Sequence, residues 1–126
     1  MGLILYSKEI NGSGERLLNV IKDALPGYEL EIYSEIDDLT ERLHQPLMDV
    51  SVAVLHAVTH SELMEIVFLS DLLAEMRVVL VLPDCKPEAL KKAHILRPRF
   101  IVTSQNDYKN LDSILKRMVK LYDKPY

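Results

Sequence analysis

The chain has 126 residues, 48% of them hydrophobic, and a formal net charge of −4: enough for one domain, residues 1–126, burying roughly two thirds of the surface its unfolded chain would expose. A single cysteine, Cys85, excludes an intrachain disulfide and fits a reducing compartment. The opening apolar stretch Leu3 to Tyr6 falls far short of a signal-peptide core or the roughly twenty residues of a membrane span, so the expected location is cytoplasmic.

In chain order, strand-length apolar segments alternate with helical stripes five times. Leu3 to Tyr6 is the first segment, followed by Leu17, Val20, Ile21 and Ala24 at helical spacing, which Pro26 stops. Glu29 to Tyr33 alternates charged with apolar residues, the pattern of an edge strand with one solvated side. Ile36, Leu39 and Leu43 mark a short helix that ends before Pro46. Val50 to Leu55 is a nearly all-apolar strand; after it, Thr59 and Glu62 have capping-box spacing ahead of a long stripe through Leu63, Ile66, Val67, Ser70 and Leu73. Val78 to Leu82 is a second buried strand, and Pro87 suits the first turn of a helix marked by Leu90, Ala93 and Leu96. Phe100 to Thr103 is the last strand; Asn106 or Asp107 can cap a final helix striped by Leu111, Ile114, Leu115, Met118 and Tyr122.

This alternation, with two interior strands apolar on both sides, predicts a parallel sheet covered by helices on both faces. Right-handed crossovers make the flavodoxin-like order 2-1-3-4-5 the compact solution for five units. Function in such a sheet collects at the carboxyl ends of the strands.

Five βα units at this length, with Asp49 opening the third strand, resemble the receiver domain of bacterial response regulators. The resemblance implies acidic residues after strand 1 to hold Mg²⁺, an acceptor Asp ending strand 3, Ser or Thr ending strand 4 and Lys ending strand 5. Here Ser7 and Lys8, followed by Glu9, stand at the acidic pair, and Val54 or Leu55 at the acceptor. Leu82 or Pro83 replaces the Ser or Thr, and Thr103 or Ser104 the Lys. The resemblance therefore implies a degenerate receiver: a non-enzymatic interaction or signalling module without phosphotransfer and without a cofactor. In that setting Lys8 could fill the place of the metal by pairing with Glu9 or a nearby acid; an ordinary loop lysine is the simpler reading.

The loop from Ser7 to Glu15 offers an alternative from another class. Ser7, Asn11, Gly12, Ser13 and Gly14 loosely resemble the loop of flavodoxins that hands a flavin phosphate to a helix N-terminus, and another small anion would suit the same place. The loops after strands 3 and 4 contain none of the aromatic residues with which flavodoxins flank the flavin. His56, His60 and Glu62, with Cys85, are the only cluster of metal-ligand types, but their spacing matches no closed site, so loop histidines beside a capped helix are expected and no metal.

Charge is unevenly spread. Residues 1–63 hold four Lys or Arg against eleven Asp or Glu, and residues 64–126 hold eleven against eight. Strand 2 and helix 2 carry Glu29, Glu31, Glu35, Asp37, Asp38 and Glu41; helices 4 and 5 with the last strand carry Lys91, Lys92, Arg97, Lys116 and Arg117. The expected partner is a protein, or a second copy, docking on the helix 4, strand 5, helix 5 face, the usual contact face in receivers; no nucleic acid or membrane is expected.

Overall fold

The computed structural model describes residues 2–9, 12–47, 50–82, 86–103 and 108–122. Asn11, Asp49, Cys85, Ser104 and the proposed cap at Asn106 or Asp107 lie outside them, as does the side chain of Ser13. The elements run β1 (Gly2–Ser7), α1 (Ser13–Ala24), β2 (Glu29–Tyr33), α2 (Ile36–Leu43), β3 (Val50–His56), α3 (His60–Val67), β4 (Arg77–Val81), α4 (Pro87–Ala93), β5 (Phe100–Val102) and α5 (Tyr108–Tyr122), with a 3-10 turn at His94–Leu96.

The sheet has the order β2-β1-β3-β4-β5 and every pairing is parallel. Strand alternation divides the core. Leu3, Leu5, Val52, Val54, Val79 and Val81 pack with α1 and α5 on one side. Ile4, Tyr6, Ala53, Leu55, Val78 and Leu80 pack with α2, α3 and α4 on the other. Each fully buried Leu, Ile or Val contributes about 1.5–3 kcal/mol, so the three central strands, apolar on both faces, anchor the domain.

Two details differ from the sequence pattern. The long third helix ends at Val67, where i→i−3 bonds take over: Leu69 N–H donates to Ile66 O at 2.9 Å, Ser70 N–H to Val67 O at 3.0 Å and Met76 N–H to Leu73 O at 3.0 Å. Winding at three rather than 3.6 residues per turn brings Leu69 inward, and Ser70 is only half-buried. β2 is an edge strand as expected, but exposure along it does not follow the alternation of charge: Glu29 is exposed and Leu30 half-buried, and the next two residues reverse this. Ile32 is 40% exposed, whereas Glu31 is half-buried under Arg42, whose Nε donates to Oε1 at 2.7 Å.

Candidate functional site

β1 and β3 end side by side, with Ser7 registered against His56. Residues 3–6 of β1 and 52–55 of β3 are apolar, so each strand delivers one polar side chain at its carboxyl end, and the two are joined: Ser7 Oγ lies 2.9 Å from His56 Nδ1, with the serine fully buried and the histidine 5% exposed. The Glu9 N–H donates to Ser7 Oγ at 3.2 Å. Burial holds the His56 pKa below the ordinary imidazole value, opposed by Glu62 and Glu9. A neutral imidazole accepting the Ser7 proton at Nδ1 satisfies both groups.

The chain turns immediately after this pair. The N–H groups of Gly12 and Gly14 both donate to Glu9 O at 2.8 Å. A β-carbon on Gly14 would stand 2.4 Å from Ser7 Oγ and 2.8 Å from Glu9 O, so only glycine lets α1 begin this close to the strand end. The N–H groups of Gly12 and Gly14 and the Ser7 hydroxyl, three of the groups that the anion-binding reading invokes, are thus bonded to Glu9 and His56.

Across the crevice, Thr59 caps α3 as its spacing predicts: Glu62 N–H donates to Thr59 Oγ1 at 3.1 Å, and Thr59 Oγ1 donates to Glu62 Oε2 at 3.2 Å. Glu62 is 8% exposed, and its Oε1 and the Tyr6 hydroxyl are buried without a hydrogen-bond partner among the described residues. Burial, then the nearby Glu65, Glu62 and Glu35, push the Tyr6 phenol far above its ordinary value. Lys8 pairs with Glu65 of α3, Nζ to Oε1 at 2.9 Å, so the acid it meets is one brought near by the fold rather than Glu9; this bond raises the lysine pKa. The His56, His60, Glu62 cluster is divided between the Ser7 bond and the helix cap. No group of three or more metal-ligating residues forms among the described residues.

No family model matches this chain, and no curated protein does. Among solved structures, a receiver-domain protein from Methanospirillum hungatei superposes with a TM-score of 0.72 at 13% identity, over 97% of this chain and 95% of that one. Two proteins described as pilus-assembly proteins, from Burkholderia thailandensis and Burkholderia pseudomallei, superpose with TM-scores of 0.70 and 0.67 at 20% and 21% identity. They cover 95% and 93% of this chain, and 98% and 87% of their own.

The fold is that of receiver domains. Within it, β3 ends at His56, two residues beyond Val54, which is buried against the α1 and α5 layer, while Leu55 is buried on the opposite face. β4 ends at Val81 and β5 at Val102, followed by Leu82 and by half-buried Thr103. At the place of the acidic pair stand a hydroxyl bound to an imidazole and an ammonium bound to a carboxylate. Mg²⁺ requires oxygen ligands with negative charge, and this donor set does not fit it.

The basic residues also have their places. Lys91, on α4, is exposed and Lys92 half-buried; Arg97 is exposed just past the 3-10 turn in a left-handed conformation, φ 49°. Lys116 and Arg117 are exposed on α5, with Lys116 Nζ 3.2 Å from Asp112 Oδ1. Because α4 packs with α3 and α5 with α1, the two groups flank the β5 edge from opposite faces of the sheet.

Proposed function

We propose that this chain is a pseudo-receiver: a cytoplasmic, non-enzymatic module that keeps the receiver fold for protein–protein interaction or signalling and has given up phosphotransfer. The buried Ser7–His56 bond carries the reading. Phosphoryl transfer in this fold depends on a carboxylate acceptor and on positive charge, metal and lysine, gathered around the developing phosphoryl charge. A neutral pair, closed on itself at the ends of β1 and β3, supplies none of these. The likeness to pilus-assembly proteins supports a place in a multiprotein assembly, with the β5 edge as the docking surface through Lys91, Lys92, Arg97, Lys116 and Arg117.

Incubation with Mg²⁺ and acetyl phosphate tests the reading by intact mass. The mass should not change. A gain of one phosphoryl group that hydroxylamine removes would overturn it.

A further inference from the structure

The two ends of the sheet are flanked by residues of opposite charge. At the β2 edge, Glu29, Glu35, Asp37, Asp38 and Glu41 are exposed, while Glu31 is already held by Arg42. At the β5 edge, Lys91, Arg97, Arg99 and Arg117 are exposed. Each edge also has an apolar centre. On the acidic side, 40%-exposed Ile32 lines an open groove of about 380 Å³ with Tyr33, Asp38, Glu41 and Arg42. On the basic side, Ile95 projects from the 3-10 turn at 56% exposure, one turn after Lys91, and with Arg97, Met76 and Asp71 lines an open groove of about 430 Å³.

An apolar centre inside a charged rim is the plan of a docking surface, and opposite rims steer the two together. We propose that the occupant of each edge is a second copy of this chain: the basic α4 and β5 edge of one copy seats against the acidic β2 and α2 edge of the next. The inference rests on the reading of the β5 edge as a docking surface and names its partner. Symmetric docking of two basic edges would set Lys91, Arg97 and Arg117 against their own copies, a like-charge contact that opposes assembly. Because the complementary surfaces sit at opposite ends of the sheet, the contact is heterologous and does not close at two copies.

The test uses the native chain and two neutralised variants whose folds are checked by circular dichroism. One is Lys91→Gln with Arg97→Gln; the other is Asp38→Asn with Glu41→Gln. In analytical ultracentrifugation the native chain should grow past a dimer with concentration and dissociate as salt rises, since exposed charges are screened beyond about 10 Å at 0.1 M. Each variant should associate roughly fivefold to thirtyfold more weakly. Mixed, each supplies the edge that the other lacks, so a complex should form and stop at two chains. A native chain that stays monomeric at every concentration would overturn the inference. So would an acidic-edge variant that associates as tightly as the native chain, which is the signature of symmetric basic-edge docking. Either result leaves the phosphotransfer test above to stand or fall by itself.

Discussion

Gly14→Ala is a substitution that helix propensity alone would favour. Gly14 is the second residue of α1, and alanine exceeds glycine in a helix interior by about 0.8–1 kcal/mol. The local geometry opposes it. The new methyl would meet Ser7 Oγ at 2.4 Å, Glu9 O at 2.8 Å and Ser7 Cβ at 3.0 Å, and two of those are backbone or β-carbon atoms that cannot rotate away. Relief requires α1 to retreat or Ser7 to abandon His56. Overpacking of this kind costs about 1–3 kcal/mol, and breaking the buried Ser7–His56 bond leaves polar groups whose desolvation costs about 1–3 kcal/mol more. Even the lower ends of the two ranges together exceed the propensity gain, so the variant should lose about 1–5 kcal/mol in urea unfolding at unchanged slope. Gly27→Ala is the control: open space surrounds that position and its φ is not positive, so stability should hold or rise by up to about 1 kcal/mol. A Gly14→Ala protein as stable as the native one would show that the strand end and the start of α1 are not closely fitted.

The same buried pair sets a pH response. A histidine held below its unfolded value of about 6.5 stabilises the fold fully above that pH and progressively less as pH falls through 6.5 toward the folded value, because the unfolded chain then binds the extra proton. Urea midpoints should therefore drop between pH 7.5 and pH 5.5, and drop less in His56→Asn; equal drops would assign the response to other groups. Thr59→Ala should cost about 1 kcal/mol by removing the α3 cap, with Thr59→Ser restoring most of it; equal unfolding midpoints for all three proteins would show the cap to be idle.

Much of the fold was legible because its signals are local and repeated. Valines, leucines and isoleucines at strand length, proline at Pro26, Pro46 and Pro87, and the Thr59 cap each fix one boundary, and short right-handed crossovers fix the strand order. The third helix was misjudged in length because a stripe at 3.6 spacing cannot show where the backbone tightens to three. The site was less legible because its pairings are long-range. Ser7 and His56 are 49 residues apart, and Lys8 and Glu65 are 57. By type, Ser7 belongs to a glycine loop and His56 to a metal-like cluster, and only the register of β1 on β3 joins the two. Their one shared sign is position: each ends an apolar strand with a polar side chain.

That register also decides where function can reside. At the carboxyl ends of β1 and β3, a neutral serine and histidine satisfy each other, and a lysine and a glutamate do the same a few residues on. A ligand bound through Ser7, His56 or Lys8 would have to break one of these bonds before making its own, whereas Glu62 Oε1 and the Tyr6 hydroxyl are left without a hydrogen-bond partner among the described residues. The edges of the sheet differ in this respect. Exposed like charges at β2 and at β5 raise the energy of the isolated domain slightly, and that energy is recovered when the opposite charge is brought against them. With the core sealed and Ser7, His56, Lys8 and Glu65 already paired, the exposed charges at the two ends of the sheet are the groups that gain most by contact, which is why the proposed docking is sought there.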